Sequence, residues 1–257
     1  MTRRLILTAA LIAALAPGVA LAQTRRPSPG AQTPRARGLV FINGGLQSPG
    51  RTFTDAFSFE RYREEGTLET TYRVDSAPFF DGGTGVRLWR ALGVGVAFSA
   101  FSESGTAGVR ADVPHPFFFD RPREVTGDAT GIARNETAVH IQLLALVPAG
   151  RRVLVVLTGG PTVFTVEQSI VREVSYDESY PFDTATFRTA QVRRERERKM
   201  GFHAGVDLIV MLGRHVGVGG LVRLARATVD LTLDDGRTLA IEAGGVQYGG
   251  GLRVVFE

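Results

Sequence analysis

Cysteine is absent from the 257 residues. Disulfides, thiolate metal sites and cysteine nucleophiles are excluded with it. Lysine is almost absent: Lys199 stands alone against 29 arginines. Excess charge of one sign is also missing. The 30 basic and 26 acidic residues leave a net charge of only +4, so the pI near 9.9 is not the electrostatic footprint of a nucleic-acid binder. Past the N-terminus no run approaches the roughly 20 apolar residues of a membrane-crossing helix. Helical periodicity is poor as well. What is present is a 44 % hydrophobic, 22 % charged chain, which excludes wholesale disorder, with 31 glycines.

Residues 1–22, MTRRLILTAALIAALAPGVALA, read as a signal peptide. Arg3 and Arg4 supply the positive start, and Leu5 to Leu15 supply the apolar stretch. Pro17-Gly18 breaks the helix, and Ala20-Leu21-Ala22 provides the small-residue cleavage pattern. Cleavage is expected between Ala22 and Gln23. Residues 23–37 hold four Arg and three Pro and read as a disordered lead. Residues 38–257 are then the folded domain of an exported protein.

Period-two alternation recurs through that domain. Val139, Ile141, Leu143, Ala145 and Val147 share one face; Phe202, Ala204, Val206, Leu208 and Val210 share another. Val216, Val218, Gly220, Val222 and Leu224 repeat the pattern, as do Val246, Tyr248, Gly250, Leu252, Val254 and Phe256. The spacing predicts strands at 38–47, 82–90, 94–103, 137–147, 153–166, 199–212, 216–230 and 245–256, joined alternately by long and short connections. An even strand count with tight turns at one end and long loops at the other predicts an all-β fold. It is a closed antiparallel up-and-down eight-stranded transmembrane β-barrel in an outer membrane. Setting Leu212 against Val216, Val147 against Val153 and Leu88 against Val94 brings lipid-facing residues together in three hairpins.

Over residues 38–257 this pattern resembles the small eight-stranded outer-membrane barrels, the OmpA membrane domain, OmpX and OmpW kind. The resemblance implies contact with outer-membrane lipid and lipopolysaccharide, and recognition by the barrel-assembly machinery through a terminal aromatic. Here Phe256 is penultimate, followed by Glu257. It also implies a structural or surface-interaction role carried by long extracellular loops, or, as the alternative, carriage of a small hydrophobic ligand through a lateral opening.

An eight-stranded barrel has an interior just wide enough for side chains. The inward face carries Asn43, Arg87, His140, Gln142, His203, Asp207, Arg223, Gln247 and Arg253. His140, Gln142, His203, Asp207, Arg223 and Arg253 read as a lumen polar network, with Asp207 and Arg223 one diagonal step apart as an ion pair. His140 and His203 fall on non-neighbouring strands, and no HxxH or HExxH spacing occurs, so no metal or cofactor is expected. Ser99, Ser102 and Ser104 approach the outer rim without a GxSxG context. A rim lipid-modifying enzyme would need one of them within hydrogen-bond reach of a histidine. The expectation is a non-enzyme. Two further segments stand out: the aromatic VPHPFFFDRP at 113–122 and the charge run RRERERK at 193–199, which reads as a solvated strand extension.

Overall fold

The computed structural model describes residues 37–233 and 235–256. The signal segment, the expected cut between Ala22 and Gln23, and nearly all of the Arg/Pro-rich lead lie outside these residues. Ten strands follow one another: β1 (Gly38–Ser48), β2 (Arg51–Arg61), β3 (Glu64–Val74), β4 (Ala77–Trp89), β5 (Leu92–Val113), β6 (Arg123–Pro148), β7 (Val153–Glu178), β8 (Ala185–Met211), β9 (Val216–Thr232) and β10 (Thr238–Phe256). Eight close a ring in the order β1-β4-β5-β6-β7-β8-β9-β10, with β10 returning to β1 and every pairing antiparallel. The β2–β3 hairpin hangs on the upper part of β5, Thr67–Tyr72 lying against Ala107–Asp112. The fold is the all-β, up-and-down, eight-stranded ring expected.

The short-turn end explains the register. Met211 sits opposite Gly217, as the Leu212–Val216 pairing requires. In the β6–β7 hairpin Val147 meets Val155 rather than Val153, and in β4–β5 Val94 meets Val86 rather than Leu88. Both are slips of two residues. The first reflects a wider turn, with the Ala149 amide donating to the Val153 carbonyl; the second follows an irregularity between Arg87 and Trp89. A slip of two keeps every side chain on its face, so the face assignments survive.

The long loops are corrected. Nearly all of that length is strand, and the connections at the tall end shrink to residues 49–50, 62–63, 75–76, 114–122, 179–184 and 233–237. The cause is an inversion of hydrophobic phase. On β9, Val216, Val218, Val222 and Leu224 point outward and are exposed; beyond them Ala225, Ala227, Val229 and Leu231 point inward and are buried, while Arg226, Thr228 and Asp230 face out. On β5 the apolar residues switch from outward Val94, Val96 and Phe98 to inward Ala107, Val109, Ala111 and Val113. The alternation never stops; its apolar half changes sides where the surroundings change from hydrocarbon to water.

Above the belt the backbone ring opens into three arms. The β6–β7 ladder ends at Arg134 opposite Gln168, β8–β9 at Phe202 opposite Arg226, and β1–β10 at Ser48 opposite Val246. The arms are β2-β3-β5-β6, the β7–β8 hairpin and the β9–β10 hairpin. They share one apolar core that includes Leu68, Tyr72, Val109, Ile170, Val229 and Ile241. Each seam is bridged by charge. Arg123 binds Glu178 and the Phe182 carbonyl across the first. Lys199 binds Asp230, and Arg172, held by Glu195 of its own arm, binds Asp235 across the second. Arg51 binds Glu242, and Arg237 binds Asp55 while lying over the Phe57 ring, across the third. The run 193–199 lies on the edge of β8 that β9 leaves unpaired. Dense charge there blunts an edge that would otherwise template aggregation.

Two residues on one face of β9 test the inversion. Val222→Arg places a cation against hydrocarbon, where it costs about 2–4 kcal/mol. Thr228→Arg, on the same face three repeats of the pleat higher, is expected to stay within about 0.5 kcal/mol of the parent, as an ordinary surface change does. Urea titration in lipid vesicles measures both; equal losses would contradict the assigned belt.

Candidate functional site

The lumen is layered. At the short-turn end, which in such barrels faces the periplasm, Leu39, Leu144, Leu146, Val156, Ile209, Met211 and Val255 form a closed apolar cluster. Arg87 is half-buried at that mouth. At mid-height the inward residues turn polar. Asn43, Asp81, His140, Gln142, His203, Asp207, Arg223, Gln247 and Arg253 are all at most 5 % exposed.

Two ion pairs organise this layer. Arg253 grips Asp207 with both forks, Nε to Oδ2 at 2.8 Å and Nη2 to Oδ1 at 2.7 Å. Arg223 donates from Nη2 to Asp81 Oδ1 at 2.8 Å, and Asn43 Nδ2 donates to Asp81 Oδ2 at 2.9 Å. The expected Asp207–Arg223 pair is therefore corrected: the structure gives each a different partner. Gly219 explains the exchange. It lies on β9 between β8 and β10, and a Cβ there would stand 2.8 Å from Arg253 Nε and 3.0 Å from Asp207 Oδ1. Without a side chain at this point, Arg253 reaches across β9 to Asp207 and satisfies it in bidentate fashion, a better geometry than the diagonal from Arg223 offers. Arg223 turns the other way, to Asp81 of β4.

A second chain of contacts runs around the wall. Ser99 Oγ lies 3.0 Å from His140 Nε2, His140 Nδ1 2.9 Å from Thr162 Oγ1, and Thr162 Oγ1 2.8 Å from His203 Nδ1. Thr162 on β7 thus joins histidines on non-neighbouring strands, whose rings stand 4.8 Å apart. One hydroxyl cannot donate to two nitrogens, so at least one Nδ1 carries a proton and donates to Thr162 Oγ1. Among the described residues no group of three or more His, Asp or Glu is arranged to hold a metal.

Higher again, Glu136 gathers donors from Arg134 Nε, Gln47 Nε2 and the Gly244 amide at 2.7–3.0 Å, and Gln247 donates to Gln47. Above these the lumen passes into the apolar core of the arms. Asp81, Gln47, Arg134, Glu136 and Thr162 are absent from the sequence-derived network. Asp81 and Glu136 each lie one residue beyond a strand boundary set too short. Arg134 and Glu136 continue the inward parity of His140 and Gln142, and that signal points to them once the strand is extended.

Ser99 meets the distance criterion of a serine–histidine pair, but within the wall rather than at the rim: it is 4 % exposed and His140 is fully buried. Ser102 is exposed and bonds Asn135. Outside the belt, Tyr72 lies in the core of the arms, its hydroxyl accepting from the Val171 amide at 2.7 Å. Burial pushes its pKa from 10 up to about 12.

The chain matches no protein-family model and no curated protein by sequence. Among solved structures it is similar to the outer membrane protein OprG from Pseudomonas aeruginosa, at 9 % identity over 86 % of this chain and 97 % of that one, with a TM-score of 0.47. It is similar also to the outer membrane protease OmpT from Escherichia coli, at 11 % identity over 87 % and 98 %, TM-score 0.41. A third is Ail, the attachment invasion locus protein of Yersinia pestis, solved with the heparin analogue sucrose octasulfate: 11 % identity over 84 % and 99 %, TM-score 0.34. The chain's own closed antiparallel ring, apolar outer belt and buried charged interior give it the fold of a membrane-spanning β-barrel.

Two outcomes follow. Asp207→Asn and Arg253→Met should each lower stability by about 3–5 kcal/mol, because each leaves a buried charge unmatched, and the double change should recover part of that loss. Asp207→Asn with Arg223→Met should instead show a smaller coupling. Urea titrations in detergent read both cycles; a larger coupling for Arg223 than for Arg253 would reverse the assignment. For Tyr72 the folded pKa exceeds the unfolded one, so its contribution is complete below pH 10 and is lost as pH rises from 10 through about 12. The full gap is worth roughly 3 kcal/mol. Alkaline unfolding should be shallower for Tyr72→Phe, and identical pH profiles would refute this.

Proposed function

We propose that this protein is a closed outer-membrane barrel whose role is structural or surface-interacting, carried by its strand-built outer half and not by long loops. The observation that supports this is the filled lumen. An apolar plug, a layer of paired charges and a packed upper core follow one another along the axis. The free space between the two ion pairs is ≈ 10 Å³. On this reading the belt contacts outer-membrane lipid, lipopolysaccharide surrounds the base of the three arms, and the assembly machinery reads the strand ending in Phe256.

Carriage of small hydrophobic molecules, the alternative, calls for an apolar chamber open to lipid. The larger hollow beside the belt is a notch of ≈ 800 Å³, where β5 at Ser102–Thr106 runs unpaired between the ends of its ladders with β4 and β3. Its lining is polar: Arg73, Asp75, Ser76, Ser102, Glu103 and Asp128. Burial and the neighbouring Asp75 raise the pKa of Glu103. Those groups suit water better than a hydrocarbon ligand.

The test is conductance across planar lipid bilayers. The closed-barrel reading expects a current at baseline for the parent chain. It expects the same baseline after Arg253→Ala with Asp207→Ala, because the apolar cluster at the short-turn end and the core of the arms still close the axis. Steady ohmic conductance by the parent chain would overturn it.

A further inference from the structure

Between the two ion pairs lies a small hollow, with Asn43, Gln142, Thr158, Asp207 and Arg223 on its polar side and apolar residues such as Phe41, Leu144 and Val156 around the rest. Four of these residues bring polar atoms that no protein group satisfies: Nε and Nη1 of Arg223, Oδ1 of Asn43, Oε1 of Gln142 and Oγ1 of Thr158. Arg223, Asn43 and Gln142 are at most 2 % exposed, so bulk water does not serve them. Orphaned buried polar atoms are rare, and several from residues around one small hollow call for a partner there.

We propose that this hollow is a binding site for a single ordered water molecule. The chemistry of the donor set selects it. Of its two unpartnered N–H groups, which lie on different edges of the guanidinium, Arg223 turns one to a water in the hollow. Asn43 Oδ1 and Gln142 Oε1 are acceptors, and the Asn43 amide is held in that sense because its Nδ2 already donates to Asp81. Water accepts two hydrogen bonds and donates two. The Thr158 hydroxyl works in either sense. A halide could accept from Arg223, but it would place negative charge against two carbonyl oxygens and the Asp207 carboxylate. A small cation would meet Arg223. The size agrees too: ≈ 10 Å³ of free space is about what one water needs and leaves no room for a polyatomic ion.

The bound water has a role. It joins the Arg223–Asp81 pair to the wall opposite and to the hollow that Asp207 bounds. Gln142 becomes a positioning residue for Arg223: its amide oxygen fixes the water that holds the far side of the guanidinium, while Asp81 holds the near side.

The test is a crystal structure of the whole chain grown from bromide-containing buffer, with data collected at the bromine absorption edge. The expected result is a density peak within about 2.7–3.2 Å of Arg223 and Asn43 Oδ1, carrying no anomalous signal. A second measurement covers the case in which crystals do not form: solid-state NMR of arginine-labelled protein in lipid vesicles. The Arg223 side chain should receive magnetisation from a long-lived water in the parent and lose it in Gln142→Leu. An anomalous peak in the hollow would overturn the proposal in favour of a halide. So would empty density at a resolution where other buried waters appear, or an Arg223 signal indifferent to Gln142→Leu. The inference rests on a filled lumen, yet the two fail separately: a conducting barrel that keeps this water defeats only the closed-barrel reading, and a silent barrel without it defeats only this site.

Discussion

One constraint governs the molecule: a single set of strands must satisfy two solvents. In hydrocarbon, backbone polar groups must all be paired and outward side chains must be apolar, which a closed antiparallel ring achieves. In water the outward face must be polar, and stability must come from an apolar interior. Strands β5 to β10 run through both regimes without a break. The period-two alternation accommodates this by inversion, at Leu224-Ala225 on β9 and between Phe98 and Ala107 on β5. The glycine at 105, beside the register shift, lies within that second transition.

The inversion sets the interior. Where the outward face is apolar, the inward face carries the polar side chains, and with no water-filled channel their charges must be matched inside. Asp81–Arg223 and Asp207–Arg253 do so in the midst of the belt. Where the outward face is polar, the inward face is free to form an ordinary core. That core lets the backbone ring open into three arms, because burial holds the arms together where ladders no longer do. The charge bridges at the seams draw on arginine repeatedly: Arg51, Arg123, Arg172 and Arg237 each meet acceptors on a neighbouring arm. A planar fork with five donors can address two acceptors at once, as Arg172 does with Asp235 and Glu195. A chain with 29 arginines and one lysine is suited to such joints.

How much of this was legible in the sequence follows from the same constraint. The belt strands, their faces and the ring were legible because lipid-facing apolar residues alternate with polar ones over long stretches. The outer half was not, because an alternation followed by its apolar face ends where that face turns inward. Residues such as Val109, Arg110 and Ala111 then look like loop, although they continue β5. Register to within two residues was readable from side-chain parity alone, since parity is indifferent to shifts of two. The identity of ionic partners was not readable. It depends on whether the intervening residue has a side chain, and Gly219 is the one that opens the path from Arg253 to Asp207. Thr162 was missed for a related reason: a hydroxyl between two histidines becomes significant only when three adjacent strands are known.

The central claim, that the apolar face of a long strand changes sides along its length, is tested most directly by a spin-label scan of β9 from 216 to 232 in lipid vesicles. Collision with oxygen reports hydrocarbon, and collision with a charged nickel chelate reports water. The account predicts oxygen access at 216, 218, 220, 222 and 224, chelate access at 226, 228, 230 and 232, and access to neither at 225, 227, 229 and 231. Oxygen access continuing unchanged through 232, or chelate access at both faces above 225, would contradict it.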